Sequence, residues 1–112
     1  MGDRGQVIIE DTGIVLYTHW RATELPDDVF RSLSLRERWD DPEYLARIIF
    51  CHMTQSRCST ETNGYGIGTM PHSDAWQNIY INCENKTINI NEKKQPFESF
   101  ILTPNALRST AD

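Results

Sequence analysis

The side chains in this chain that could carry chemistry are three histidines and three cysteines, at His19, His52, His72, Cys51, Cys58 and Cys83. Zinc sites use close pairs such as Cys-x₂₋₄-Cys, which place two ligands on one turn. Cys51 and Cys58 lie seven residues apart, so their spacing does not predict a zinc site. A Cys–His nucleophile pair stays open, because such partners meet in space and not in sequence. The odd number of cysteines on apolar patterns predicts free, mostly buried thiols, with no metal and no cofactor.

Two other patterns resemble ligand sites. Four carboxylates could together hold magnesium, namely Asp40, Asp41, Glu43 and Glu61. Carboxylates beside a helix start are more often N-caps, which is the reading we favour. The stretch Tyr65–Gly68 has alternate glycines, but it lacks the third glycine at a helix start or the Gly-Lys-Ser/Thr sequence of phosphate-binding loops. These glycines are therefore expected to allow tight packing.

The strongest candidate for a binding site is a polar and aromatic set, made of Tyr17, His19, Trp20, Trp39 and Arg47. Tyr17 and His19 share the face of a predicted strand that is opposite its apolar residues, so we expect them to face outward or into a cleft. Aromatic residues beside arginine serve as anchors for proteins or as platforms for bases. The alternative is structural: Trp39 covers the core with its N–H bonded to an aspartate, and Arg47 pairs with Glu43.

Acidic residues are concentrated in one segment. From Glu24 to Glu43 there are seven acidic residues and three arginines, and the whole chain carries a net charge of −5. Acids in such places often serve helix N-termini. The alternative is an acidic surface that meets a basic partner, with Asp28 and Glu37 as exposed positions. The charge disfavours nucleic acid as a direct ligand, because phosphate binding needs clustered Lys and Arg.

The elements that must position these residues follow from hydrophobic periodicity. Strands at 6–10 and 13–20 are predicted to form a hairpin through a turn at Asp11-Thr12-Gly13. A short helix is predicted to begin at Pro26. The main helix is predicted from Pro42 to about Arg57, with Asp41 as its N-cap and Leu45, Ile48, Ile49 and His52 on its inner face.

The second half of the chain predicts more sheet. A short strand at 65–69 is followed by a hairpin over 78–91, whose turn at Asn85-Lys86 pairs Cys83 with Ile88 and Ile81 with Ile90. A last helix begins at Pro96 and ends at Thr103-Pro104.

The element order β-β-α-α-β-β-β-α predicts a single α+β domain over residues 1–112, with an ordered core at about 5–103 and a loose tail at 105–112. The expected architecture is an antiparallel sheet of four to five strands, covered on one face by two to three helices. No apolar stretch reaches the roughly 20 residues that cross a bilayer, and the first residues lack an apolar signal region. We therefore expect a cytoplasmic protein that is a monomer or a homodimer.

Several blocks of the sequence resemble a family of small proteins that phages, prophages and archaeal viruses encode. The blocks lie between Val15 and Thr69 and read LYTHW (16–20), ELP (24–26), RWDD (38–41), YLARIIF (44–50) and ETNGYGI (61–67). The chain departs from the family at 70–76, where an acidic Asp-Asn-Glu stretch is usual, and in the next strand, which is usually rich in Val. The resemblance implies a viral or mobile-element origin and no particular reaction.

These observations predict a small viral accessory protein without a catalytic role that binds a host protein with a basic surface in the host cytoplasm. Inhibition of a bacterial defence system such as CRISPR is the specific form of this prediction. The alternative is a small enzyme that acts on a nucleotide or phosphodiester, with His19, Arg47 and the Asp40/Asp41 pair in a cleft. A nucleic-acid-binding module is a third possibility, which the charge disfavours.

Overall fold

The structure, a computed structural model, describes residues 3–55 and 64–102. Its strands are β1 (Gly5–Ile9), β2 (Ile14–Thr18), β3 (Tyr65–Gly68), β4 (Gln77–Asn82), β5 (Thr87–Ile90) and β6 (Lys93–Pro96). Its helices are α1 (Leu25–Ser34), α2 (Pro42–Thr54) and α3 (Phe97–Ile101), with one 3₁₀ turn (Ala22–Glu24) before α1. The predicted α+β class is confirmed.

The strands form one sheet of six in the order β3-β2-β1-β4-β5-β6. The prediction of four to five antiparallel strands was wrong in two details. The central pair, β1 with β4, is parallel, because β4 returns to β1 only after the helices α1 and α2 and the strand β3 have intervened. The sixth strand, β6, has the sequence Lys-Lys-Gln-Pro and no apolar alternation, since it is an exposed edge.

One face of the sheet carries the core. The sheet supplies fully buried aliphatic side chains at Val7, Ile9, Leu16, Ile79, Ile81 and Ile88. The helices cover them with Leu25, Val29, Leu33, Leu45, Ile49, Met53, Phe97 and Phe100. Burial of each such side chain contributes roughly 1.5–3 kcal/mol, so this layer holds the helices on that face.

Helix α2 begins as its sequence predicts and ends early. Asp41 accepts a hydrogen bond from the Tyr44 N–H at 3.3 Å, and Pro42 occupies the first turn. The helix ends at Thr54 because Gln55 adopts a left-handed conformation with φ of 50°. Arg57, the predicted end, lies outside the described residues, as do Cys58, Glu61, the stop at 103–104 and the tail at 105–112. Cys51 on this helix is exposed, so its predicted burial was wrong; that of Cys83 is confirmed.

The β4–β5 hairpin differs from its predicted register by two residues. Ile81 pairs with Ile88 and Ile79 with Ile90, around a four-residue turn at 83–86. The carboxylate of Asp11 explains the longer turn, because it accepts hydrogen bonds from the backbone N–H groups at 83 and 84, at 2.7 and 3.0 Å. A shift of two residues leaves the same side chains on the core face, so the apolar pattern could not distinguish the two registers.

Candidate partner-binding site

The face of the sheet opposite the helices is partly covered by the loop at 69–76. The Gln6 side chain holds this loop, since it accepts from the His72 backbone N–H at 2.8 Å and donates to the His72 carbonyl at 2.9 Å. These bonds place the His72 ring on the Tyr17 ring, with centroids 4.0 Å apart and the planes 29° from parallel. The two rings therefore form one stacked pair beside strand β3.

His19 and Trp20 follow β2 and form a second aromatic contact. Their ring centroids lie 4.2 Å apart in an edge-to-face arrangement. The Arg4 Nε donates to His19 Nδ1 at 3.4 Å, and the same guanidinium pairs with Asp74 at 3.0 Å. The Trp20 side chain is 54% exposed. A large aromatic ring therefore lies about half exposed at the end of β2.

Glycine at position 64 is required for this arrangement. Its φ is +77°, and a Cβ there would come within 2.8 Å of the Trp20 ring. The carbonyl of Gly64 accepts from the His19 backbone N–H at 2.9 Å. The Trp20 ring thus packs directly against the backbone of Gly64, where a side chain would clash with it.

Trp76 extends the aromatic surface and is fixed by its indole. The indole N–H donates to the Asp3 carboxylate at 2.7 Å, and the ring is 49% exposed. Burial acts to raise the pKa of Asp3, but the hydrogen bonds from Thr23 and Trp76 outweigh it and hold that pKa below its usual range. This hydrogen bond fixes the position of the indole N–H and leaves about half of the ring in solvent.

Strand β3 forms one edge of the sheet, and in the described part of the chain no strand pairs with its outer side. In the β2–β3 register, Gly66 lies opposite Tyr17 and Gly68 opposite Val15. Gly64 lies opposite His19 and is hydrogen-bonded to it, so the alternation can be counted from that pair. Hydrogen-bonded pairs alternate along an antiparallel ladder, so the backbone groups of Gly66 and Gly68 point to β2. Those of Ile67 point away from the sheet.

The side chains around this outer edge are apolar. Ile67 is 64% and Met70 is 76% exposed. A Cβ built on Gly66 or Gly68 would meet nothing within 4 Å, so the prediction that these glycines allow tight packing was wrong. The alternate glycines around an isoleucine were the available signal for this site. Periodicity alone did not show that the strand is an edge.

The opposite edge of the sheet, β6, differs in kind. The β5–β6 turn has two residues, so Ile90 and Lys93 form the first hydrogen-bonded pair of this hairpin. Hydrogen-bonded and non-bonded pairs alternate along the ladder, so the backbone groups of Lys94 and Pro96 point outward, away from β5. A lysine and a proline are the residues by which proteins block an edge, because one adds charge and the other has no N–H. Strand β3 has neither residue in Tyr-Gly-Ile-Gly.

The structure brings together only part of the predicted binding set. Tyr17, His19 and Trp20 lie on the open side of the sheet, as just described. Trp39 lies on the helical side, where its indole donates to the Leu33 carbonyl at 3.0 Å and its ring meets Phe97 edge-to-face. Trp39 therefore covers the core. The prediction that its N–H bonds to an aspartate was wrong, because the acceptor is the Leu33 carbonyl.

Arg47 also lies apart from the aromatic residues on the open face. Its guanidinium is 5.1 Å from the centroid of the Tyr44 ring, which takes the place of the predicted ion pair with Glu43. The hypothetical phosphodiester site therefore loses its shared cleft in the described residues, because Asp41 caps α2 and His19 contacts Arg4 and Trp20.

The two acidic positions of the predicted set behave differently. Glu37 is exposed, as predicted. Asp28 is fully buried, so its predicted exposure was wrong. Its carboxylate accepts from Arg21 at 2.8 and 3.2 Å and from Arg31 at 2.8 Å, and it serves the fold. Besides Glu37, the segment has exposed acids at Glu24, Asp40 and Glu43.

Within residues 3–55 and 64–102, no three His, Cys, Asp or Glu side chains come together in a way that could hold a metal ion. The proposed magnesium cluster included Glu61, which lies outside those ranges. Among the described helices, none has the length and apolar character needed to cross a membrane.

Comparison with known proteins gave no matching family model, no matching curated protein and no matching solved structure. The resemblance to proteins of phages and archaeal viruses therefore stays a prediction.

Proposed function

We propose that this protein acts by binding a partner protein, with no reaction of its own, and that it docks an extended segment of that partner on the outer edge of β3. The observation that carries the proposal is the contrast between the two edges of one sheet. On β6 the backbone groups that face outward belong to Lys94 and Pro96, whereas on β3 they belong to Ile67 and pair with no strand among residues 3–55 and 64–102. An unblocked edge is a template for a further strand.

Exposed apolar side chains next to this edge support the same function. We call Trp20, Ile67 and Met70 the anchor residues, because Trp20 lies against Gly64 just before β3, Ile67 lies in β3 and Met70 follows it; each has at least 54% of its surface exposed. Large exposed apolar and aromatic side chains beside an open strand edge are typical of protein interfaces. Backbone hydrogen bonds to β3 would set the register of the partner segment, and the anchor residues would add buried area.

The nature of the partner follows from charge and from the sequence resemblance. The chain carries a net charge of −5, which favours a partner with a basic surface. The resemblance to virus-encoded proteins supports a partner from the host cell. A component of a bacterial defence system, such as CRISPR, is the specific form of the proposal.

The proposal is tested by affinity capture from host-cell lysate with three versions of the tagged protein. The wild type should retain a partner, and Ile67→Lys should lose it, because a charge at the open edge opposes strand addition. The matched control is Leu35→Lys, which adds the same charge at another exposed aliphatic residue, after α1. Retention of the partner by Ile67→Lys to the same extent as by Leu35→Lys would contradict docking at β3.

A further inference from the structure

We propose that the strand docked on β3 carries an aromatic side chain, which lies flat over Gly66 and Gly68 and fills the space beside Tyr17. This inference rests on the proposed function, since it specifies the chemistry of the segment that docks there. The occupant is an extended peptide segment of the partner with an aromatic residue at one defined position.

A shallow, open cavity of about 390 Å³ lies at this place on the open face. Its lining includes both glycines, the stacked pair of Tyr17 and His72, and Met70. The floor is backbone and the walls are rings and a thioether, which is a suitable environment for an aromatic ring.

The two glycines have no explanation within the described chain. Glycine in a strand costs conformational entropy and supplies no side chain to pack. Neither glycine has a left-handed φ, and neither would clash if it carried a Cβ. Open space above an edge strand is explained if another molecule occupies it, and an aromatic side chain packed across a strand glycine is a known way to stabilise such pairs.

The hydrogen-bond pattern of β3 places the docked side chain at this point. The backbone groups of Gly66 and Gly68 are used by β2, so a residue opposite either glycine on an added antiparallel strand sits at a non-hydrogen-bonded position. Cα atoms are closest at such positions, at about 4.5 Å, and side chains lie nearest to each other there. The ring of that residue can then reach across the glycine to Tyr17.

The test uses two synthetic peptides, acetyl-Lys-Thr-Phe-Thr-Lys-amide and the same peptide with Ala in place of Phe, titrated against ¹⁵N-labelled protein. The two lysines make the peptides positively charged, which complements the net negative charge of the protein. We expect both peptides to shift the Ile67 amide resonance and the Phe peptide to bind at least tenfold more tightly. In Gly68→Val that preference should disappear while the affinity of the Ala peptide stays the same, because the valine side chain fills the cavity and leaves the outer hydrogen bonds intact.

The outcomes separate the two proposals. Equal affinity of both peptides for the wild type would overturn the aromatic site and leave docking at β3 standing. No saturable shift with either peptide would contradict docking at β3 and the aromatic site together. Unchanged or higher thermal stability of Gly68→Val, expected because valine favours strands, shows that any loss of preference does not come from misfolding.

Discussion

Replacement of Asp28 by Asn should weaken the fold and not merely change the surface charge. Asp28 is fully buried and accepts three hydrogen bonds from two guanidinium groups. Arg21 is itself mostly buried, with 16% of its side chain exposed, and Arg31 is half exposed. The network therefore joins Arg21, which lies three residues after β2, to helix α1. Loss of the Asp28 carboxylate leaves the Arg21 guanidinium without its main partner.

The expected loss can be estimated from these contacts. Removal of one member of a buried ion pair costs about 3–5 kcal/mol. Two features place Asp28→Asn near the lower limit: Arg21 keeps its contact with Glu24 at 2.6 Å, and the Asn carbonyl still accepts one hydrogen bond. We expect a loss of about 3 kcal/mol, which corresponds to a fall in unfolding midpoint of roughly 10–20 °C for a domain of this size.

The assay is urea unfolding at pH 7, followed by tryptophan fluorescence, with Glu37→Gln as the control. Glu37 is exposed, so its neutralisation should change the free energy of unfolding by less than about 0.5 kcal/mol. If Asp28→Asn behaves like Glu37→Gln, the buried network does not stabilise the fold and our reading of Asp28 is refuted.

Three other predictions concern the helical side. Ile49→Ala should cost about 2–5 kcal/mol of unfolding free energy and Ile48→Ala less, because Ile49 is fully buried and Ile48 only partly; equal losses in urea titrations would contradict this. Burial raises the pKa of Cys83 to about 12, so a thiol reagent at pH 7.5 should label exposed Cys51 at once and Cys83 only on unfolding. Burial lowers the pKa of His52 in the folded protein below its ordinary 6.5. As the pH falls, the unfolded state therefore takes up a proton on this ring before the folded state does. Stability should therefore fall as the pH drops below 6.5, and thermal melts should show a smaller fall in His52→Gln.

The sequence was sufficient for the fold class because the relevant signals are local. Asp41 and Pro42 define the start of α2, and apolar alternation identifies the inner faces of β1, β2 and β4. The register of the β4–β5 hairpin was not predictable, because the decisive contact comes from Asp11, more than seventy residues before the turn. Apolar periodicity carries no record of such a hydrogen bond.

The candidate site was predictable only in part, for a similar reason. Tyr17 and His19 could be placed on the open face by strand alternation. Trp39 and Arg47 were grouped with them by residue type, whereas the fold puts them on the helical side. The importance of Ile67 depends on which strand lies at the edge, and strand order is a property of the whole sheet.

The central claim, that a partner segment pairs with β3, is tested most directly by amide hydrogen exchange with the captured partner. The Ile67 N–H points away from the sheet, so it should exchange rapidly in the free protein and become protected in the complex. The Gly66 N–H already bonds to β2 and serves as the internal reference. Protection that appears at Ile67 on binding is the predicted result. Rapid exchange at Ile67 in a saturated complex would show that the partner binds elsewhere.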